Sequence, residues 1–321
     1  MTFIAWIDGS EVEPGALGGK GASLVRLQRS GFPVPPGFCV PAAGYRRFVE
    51  ANGLQPLLER VAATPDLRLP KVAREACAPL TAALAEATLP ADLADAIRAA
   101  YRDLHARCAG DLVAAARSSA LSEDAAAASS AGVYETYLNL RDEAAVLDAV
   151  LRCYRSLWAP RAVQYRAFRG VNSAQEAMAV VVMQMVEADV SGVAFTVNPI
   201  TGDRGQIVIN ASWGLGEAIV SGRVTPDQFL VDKASLTVRQ REIAAKEVEA
   251  RPHPGGDSGI VEMAVPAARA LAPALSDAHL RDLAETCLRI EAQYGRPVDV
   301  EWAFAGSRLY ILQARPVTGL A

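Results

Sequence analysis

The sequence lacks the marks of several classes of protein. It has no basic tract and a net charge of −4, which argues against an extended nucleic-acid surface. Its longest apolar run, near Ala179–Val186, is far too short to cross a bilayer. No positively charged segment leads into an apolar stretch at the N-terminus, so we expect no signal peptide.

Paired cysteine spacing and internal repeats are also missing. The five cysteines are scattered and odd in number, at positions 39, 77, 108, 153 and 287. This usage indicates reduced thiols in a cytoplasmic protein and argues against a disulfide framework or a zinc site. Hydrophobic residues make up 51% of the chain, and 321 residues exceed a usual single domain, so we expect a globular protein with two lobes.

The sequence from Pro297 to Pro316 predicts a β-hairpin. Two segments rich in branched and aromatic residues flank a short break that contains Gly306. We expect Phe304 to face Arg308 across this break. The apolar residues predicted to form the core side of the hairpin are Trp302, Phe304, Tyr310 and Leu312.

Polar side chains collect on the other side of the predicted hairpin. Because side chains alternate faces along a strand, Asp299 and Glu301 share one face. Gln313 and Arg315 likewise share a face, and the expected register sets Gln313 opposite Asp299. Such a group suits Mg²⁺ bound to polyphosphate, since hard oxygens take the cation and arginine takes phosphate oxygens in a fork. A solvated face with ordinary ion pairs is the alternative interpretation.

A glycine-rich segment, Gly18-Gly19-Lys20-Gly21, comes directly before the apolar periodicity of a predicted helix. Glycines ahead of a helix let backbone N–H groups approach phosphate, and Lys20 would add a positive charge. The segment is not a Walker A loop, because Pro14 and Gly21 stand where that motif needs a glycine and a magnesium-binding hydroxyl. A plain helix N-terminus is the alternative.

Arg117 follows a predicted strand, residues 111–116. An arginine at a strand end, followed by serines and small residues, can form a phosphate-facing loop. Gly132 would allow close backbone approach in that loop, and Thr136 could donate from the same wall. Ser122 or Asp124 could instead cap a helix, and the residues alone leave both interpretations open.

Gln184 lies in the buried strand predicted over Ala179–Val186. An amide there can hold an adenine by its edge, although neighbouring backbone groups can equally satisfy it. A second glycine-bearing transition from strand to helix follows at residues 212–218. It includes Glu217, whose role the sequence leaves open.

The remaining pattern predicts helices in the first half of the chain and strands in the second. Residues from Ala42 to about Gly110 are predicted to be mostly helical, and Leu147–Arg169 is predicted as one amphipathic helix. Ser276 is predicted to cap a helix that ends near Gly295. The C-terminal lobe is predicted to be a mixed sheet with flanking helices.

Six motifs occur in a fixed order along the chain. They are Gly-Gly-Lys-Gly at 18–21, Pro-Val-Pro-Pro-Gly-Phe at 33–38, Ala-Arg-Ser-Ser at 116–119 with Glu123-Asp124, Ala-Gly-x-x-Glu-Thr at 131–136, Asn-Ala-Ser-Trp-Gly-Leu-Gly-Glu-Ala at 210–218 with Val-Ser-Gly at 220–222, and Leu-Gln-Ala-Arg-Pro at 312–316. With them the chain resembles, from Gly18 to Thr318, the N-terminal ATP-grasp domain of phosphoenolpyruvate synthase, pyruvate phosphate dikinase and rifampin phosphotransferase.

The resemblance implies an α+β fold of the ATP-grasp type, in which two subdomains close over an ATP cleft. The implied subdomains are residues 1–186, with a helical insertion at about 42–110, and residues 187–321, with the metal-binding hairpin. ATP and Mg²⁺ are the implied cofactors. The residues that match nucleotide-binding positions are Lys20, Arg117, Gly132, Thr136, Gln184, Glu301, Gln313 and Arg315. Those that match metal ligands are Asp299, Glu301 and Gln313, and the expected catalytic residues are Lys20, Arg117 and Arg315.

The family's members continue into a swivelling domain that carries a phosphate-accepting histidine. The histidines of this chain, at 105, 253 and 279, lack the Gly-Gly-x-x-x-His setting of that carrier. We therefore expect a phosphotransferase that works with a histidine-bearing domain or protein, or with a small-molecule acceptor, and not with nucleic acid or a membrane. A free-standing ATP-grasp ligase that joins a carboxylate to an amine is the alternative, followed by a nucleotide-binding regulatory module.

Overall fold

The computed structural model describes residues 2–9, 12–108, 110–122, 135–255 and 258–318. The chain divides into two compact units. Unit 1 contains Met1–Val25 and Pro36–Gln184, and unit 2 contains Arg26–Pro35 and Met185–Ala321. Each unit combines helices with an antiparallel sheet, which confirms the predicted α+β class. Within these residues, no helix has both the length and the apolar character needed to cross a bilayer.

Unit 1 is built on a sheet whose described strands run in the order β1-β2-β5-β3-β4. Its elements are β1 (Ala5–Trp6), α1 (Gly18–Arg29, whose last turn belongs to unit 2), β2 (Gly37–Val40), α2 (Ala42–Ala51), α3 (Gln55–Ala62), α4 (Pro70–Glu86), α5 (Ala91–Arg107), β3 (Ala114–Ala120), β4 (Thr136–Leu140), α6 (Glu143–Ser156), α7 (Pro160–Arg169) and β5 (Met178–Gln184). The helices α2 to α5 follow β2 directly, so the prediction of a mostly helical segment after Ala42 is confirmed.

Two elements of unit 1 differ from the prediction. The single helix predicted over Leu147–Arg169 is two helices, because Pro160 begins α7 and cannot continue the hydrogen-bond ladder of α6. The strand predicted over 111–116 begins and ends later, at Ala114–Ala120. Its alanines and serines have low β-propensity, yet β5 and β4 pair with it on both sides.

Unit 2 contains a sheet whose described strands run in the order β13-β12-β6-β7-β8-β9, and a separate hairpin, β10-β11. Its elements are β6 (Val190–Phe195), β7 (Gln206–Trp213), α8 (Glu217–Val220), β8 (Asp227–Asp232), β9 (Val238–Glu242), β10 (Val248–Pro252), β11 (Ile260–Ala264), α9 (Ala267–Ala270), α10 (Asp277–Tyr294), β12 (Val298–Ala305) and β13 (Arg308–Pro316). Every described pairing in the larger sheet is antiparallel, so the prediction of a mixed sheet was wrong.

The long helix α10 covers the core side of this sheet and has the predicted ends. The hydroxyl of Ser276 accepts a hydrogen bond from the backbone of His279, and Gly295 ends the helix at a φ of 65°. Leu283 and Ile290 of α10 are fully buried. This packing holds the two last strands of the chain, which carry the predicted polar site.

Gly192, in the middle of β6, is required by the close approach of the next strand. A Cβ there would lie 1.9 Å from the carbonyl oxygen of Asn210 and 2.8 Å from Cζ2 of Trp302. We expect Gly192→Ala to lower the free energy of unfolding by about 1–3 kcal/mol or more, as overpacking does. Chemical denaturation measures this change.

Gly216→Ala is the matched control in unit 2, because a Cβ at that residue meets nothing closer than Oγ of Ser191 at 3.5 Å. Its free energy of unfolding should change little. Equal losses in the two variants would contradict the packing described for β6.

Candidate functional site

The hairpin β12-β13 has a different register from the one predicted. Arg308 pairs with Ala305, not Phe304, because the turn between the strands has two residues. A β-bulge then shifts the register once more, beyond Trp302. Gln313 consequently lies opposite Glu301, and the expectation that it faces Asp299 was wrong.

The bulge changes which residues of β13 face the core. Trp302 pairs with Ile311, and both Ile311 and Leu309 are buried. Tyr310 and Leu312, which were predicted to face the core, are only half-buried. One extra residue in a strand moves all later side chains to the other face. Because of the bulge, Leu309 and Ile311 before it face the core, whereas Gln313 and Arg315 after it lie on the polar face.

The polar face of the hairpin carries the four predicted residues in two cross-strand pairs. Asp299 lies opposite Arg315, and Glu301 lies opposite Gln313. Side chains of such pairs have Cβ atoms about 4.5–5.5 Å apart. Nε of Arg315 donates to both carboxylate oxygens of Asp299, at 2.9 and 3.1 Å. The sheet thus brings together the whole set predicted for the hairpin.

Two of these four side chains are buried and the other two are partly exposed to water. Asp299 is 8% exposed and Gln313 is 4% exposed, while Glu301 and Arg315 are half-buried. Charges in such surroundings interact more strongly than in bulk water, and each must be matched by an opposite charge or hydrogen bond. The Arg315–Asp299 pair provides one such match and fixes the direction of the guanidinium.

The donor chemistry of this face fits Mg²⁺ that arrives with phosphate. Two carboxylates and one amide offer hard oxygen atoms, and Mg²⁺ is usually held by one or two carboxylates together with waters and substrate phosphates. Among the described residues, no group of three or more His, Cys, Asp and Glu side chains could hold a metal ion.

In unit 1, Arg117 lies inside β3 and not in a loop after a strand, which corrects the prediction. It pairs with Thr136 on β4 and with Val181 on β5. Two residues predicted to line one phosphate-binding wall are thus direct cross-strand neighbours. Gly132, and the possible cap at Asp124, lie outside the described residues.

The start of α1 is fastened to β3 through Ser119. Its hydroxyl accepts a hydrogen bond from the backbone of Gly21 at 3.2 Å and donates to the carbonyl of Leu17 at 2.9 Å. Gly18 has a φ of +66°, and a Cβ there would lie 2.2 Å from the carbonyl oxygen of Ser119. Lys20 therefore sits on the first turn of a helix that is held against the strand of Arg117.

Two cysteines lie in the core near this glycine segment. A Cβ on Gly21 would come within 3.1 Å of Sγ of Cys39, and burial raises the pKa of the Cys39 thiol to about 12. Burial also raises the pKa of the Cys153 thiol, which the positive charge of Lys20 partly opposes. Neither thiol is a nucleophile at neutral pH.

Gln184 is the last residue of β5, not a mid-strand residue as predicted. It lies opposite Ala114, is half-buried, and its backbone N–H donates to Pro36 at 2.9 Å. Glu217 begins the short helix α8. Before it, the carbonyl of Gly214 accepts from the hydroxyl of Ser191 at 2.6 Å.

The sequence interpretation missed Ser119 as a support of the glycine segment. Its signal was its place in the Ala-Arg-Ser-Ser motif, directly after the residue predicted to bind phosphate. The interpretation also missed the bulge in the hairpin, for which the residues offer no separate signal.

Comparison with known proteins groups this chain with one family. The model of the family "Pyruvate phosphate dikinase, AMP/ATP-binding domain" matches residues 15–321. The chain is 41% identical to a probable phosphoenolpyruvate synthase of Methanocaldococcus jannaschii over 322 residues. This alignment covers 100% of the chain and 27% of the synthase. These matches confirm the resemblance drawn from the motifs.

Two relatives with other names are equally similar. The prodigiosin synthesizing transferase PigC of Serratia marcescens is 41% identical, over 99% of this chain and 33% of its own length. A rifampicin phosphotransferase of Streptomyces sviceus is 41% identical, over 98% of this chain and 35% of its own length. The chain thus spans 27% to 35% of the length of these three relatives.

The hydrogen bonds of Ser119 predict a specific cost for their removal. Ser119→Ala leaves the Gly21 N–H and the Leu17 carbonyl without this partner in a fully buried place. We expect the free energy of unfolding to fall by about 1–3 kcal/mol, the usual cost of an unsatisfied buried polar group. Chemical denaturation of the two proteins gives the difference.

Ser156→Ala serves as the control in the same unit. Its hydroxyl donates to the carbonyl of Cys153 three residues earlier, at 2.7 Å, and joins no separate elements. We expect a smaller loss for this variant. A loss as large as that of Ser119→Ala would contradict the assigned role of Ser119.

Proposed function

Since the chain belongs to the pyruvate phosphate dikinase AMP/ATP-binding domain family, we propose that it binds MgATP and transfers phosphate from it to a histidine. That histidine would lie on a swivelling domain in another polypeptide or in another part of the same protein. The reaction is then the ATP half-reaction of a dikinase of the phosphoenolpyruvate synthase or rifampin phosphotransferase kind. This location follows the family pattern in which the phosphate carrier is a separate domain.

One observation carries this proposal: the two cross-strand pairs on the hairpin, Asp299 with Arg315 and Glu301 with Gln313. Phosphoryl transfer depends mostly on positioning and charge stabilisation. Carboxylates and a guanidinium on a rigid hairpin can provide both. Gln313 is only 4% exposed and lies opposite Glu301. On a solvated surface with ordinary ion pairs, this amide would be expected to be exposed. The structure therefore favours the site interpretation over that alternative.

Each residue of the hairpin has a proposed role. Glu301, Gln313 and Asp299 would hold Mg²⁺, which when bound neutralises charge on the polyphosphate. Asp299 also orients Arg315 through the Nε contact, at 2.9 Å. The guanidinium of Arg315 would then bind phosphate oxygens as a fork, a geometry that lysine cannot reproduce.

The residues of unit 1 are proposed to bind the same nucleotide. Lys20 and Arg117 would contact phosphate oxygens, with Thr136 beside Arg117. Gly132 is proposed to bind the nucleotide as well. Gln184 would recognise the edge of the adenine. The ATP-grasp arrangement, in which two subdomains close over ATP, is part of this proposal, as is the use of Mg²⁺.

The products of ATP distinguish this proposal from the ligase alternative. The protein is incubated with MgATP, with and without a separately purified histidine-bearing domain of a phosphoenolpyruvate synthase, and the nucleotides are separated by chromatography. AMP and inorganic phosphate that form only with that domain are the expected result, because one phosphoryl group of ATP would go to the histidine and the other to water. ADP that forms only with a carboxylate and an amine would contradict the proposal and favour a ligase.

Substitutions on the hairpin test the site. Glu301→Gln removes a charged metal ligand and Arg315→Ala removes the phosphate fork, so each should lower the rate of ATP turnover by about 100-fold or more. The far-ultraviolet circular dichroism of both variants should match that of the unchanged protein. Rates are measured as AMP released at saturating MgATP in the presence of the histidine-bearing domain.

Two exposed residues of unit 2 supply matched controls. Arg308→Ala removes a guanidinium from the same hairpin, and Glu262→Gln neutralises a surface carboxylate paired with Arg223. Both variants should turn over ATP as the unchanged protein does. Normal turnover in Glu301→Gln or Arg315→Ala would refute the site.

A further inference from the structure

The strand that carries Gln313 and Arg315 lies at the edge of the described sheet. β13 pairs with β12 on one side, and the bulge interrupts that pairing between the core residues and the polar ones. An edge strand with a bulge has fewer backbone hydrogen bonds to fix its path than a central strand has. Contacts on its outer side therefore decide how closely the two side chains are held in place.

The hydrogen bonds that reach β13 from residues outside the sheet include one on each side of the bulge. The backbone N–H of Ile311 donates to the carbonyl of Pro33 at 2.8 Å. The hydroxyl of Tyr294 donates to the carbonyl of Ala314 at 3.2 Å. Ala314 is the residue between Gln313 and Arg315. The hydrogen bond from Tyr294 therefore holds the backbone between these two residues.

The ring of Tyr294 is contacted by an arginine of α1. Tyr294 is the last residue of α10, and the guanidinium of Arg26 lies 4.9 Å from the centroid of this ring. The segment that contains Arg26 is fastened to α10 at two more places. Gln293 donates to the hydroxyl of Ser30, and the guanidinium of Arg289 lies 4.9 Å from the ring centroid of Phe32.

We infer that Tyr294 is a positioning residue for Gln313 and Arg315, acting through the backbone carbonyl of Ala314 between them. This inference rests on the proposed function, because it assigns Tyr294 to the accuracy of the magnesium and phosphate site. Tyr294 fixes the backbone from outside the sheet and does not touch the nucleotide. A displacement of about 1 Å in such a group is enough to weaken catalysis severely.

Tyr294→Phe tests the inference, since it removes only the hydroxyl and keeps the ring that Arg26 covers. In the nucleotide-free protein, amide hydrogen exchange of a peptide covering residues 309–316 should become faster. Affinity for MgATP, measured by calorimetry, should fall by about threefold to tenfold, the effect of one neutral hydrogen bond. Affinity for ATP in the presence of EDTA should fall less, because Gln313 then has no magnesium ion to bind and only the Arg315 contact is affected.

Ser30→Ala is the matched control. It removes the hydrogen bond between Gln293 and Ser30 and leaves the bond from Tyr294 to Ala314 in place. Its exchange over 309–316 and its affinity for MgATP should change less than those of Tyr294→Phe. The midpoints of thermal unfolding of the two variants should be similar.

Three results would overturn the inference. They are unchanged affinity for MgATP in Tyr294→Phe, an equal loss of affinity with and without magnesium, and an equal change in Ser30→Ala. If the protein without substitutions binds no MgATP, the proposed function is contradicted and this inference with it. If that protein binds MgATP and Tyr294→Phe binds it equally well, the inference alone is contradicted.

Discussion

Side chains along a strand alternate between the two faces of a sheet, and this strict period of two governs the hairpin at the end of the chain. Leu309 and Ile311 are buried in the core, whereas Gln313 lies opposite Glu301 and Arg315 lies opposite Asp299 on the polar face. In a regular strand these four odd-numbered residues would share a face. The bulge supplies the one extra residue that separates them, so the apolar core and the polar platform can occupy one short strand.

In unit 1, the start of helix α1 packs closely against strand β3. Gly18 leaves room for the backbone of Ser119, and the Ser119 hydroxyl then satisfies backbone groups on both sides of that glycine. Small residues make the approach possible, and the hydrogen bonds make it specific. The result is a fixed origin for the Lys20 side chain beside the strand that carries Arg117.

Sequence reasoning found features that depend on local chemistry. The helix from Ser276 to Gly295 was predicted correctly because a capping hydroxyl and a left-handed glycine act within one turn. The register of the last hairpin was predicted wrongly, because turn length and a bulge are settled by packing on both faces. The strand around Arg117 was misplaced for a related reason: alanines and serines form a strand only where neighbouring strands pair with them.

The central claim is that the bulged hairpin holds a magnesium ion brought by a nucleotide, and a crystal structure with Mg²⁺ and a non-hydrolysable ATP analogue tests it most directly. The account predicts a metal ion at about 2.0–2.1 Å from side-chain oxygens of Asp299, Glu301 and Gln313, the distance usual for Mg²⁺. It also predicts phosphate oxygens within hydrogen-bond reach of Arg315. A metal ion and triphosphate bound away from β12 and β13 would contradict the account.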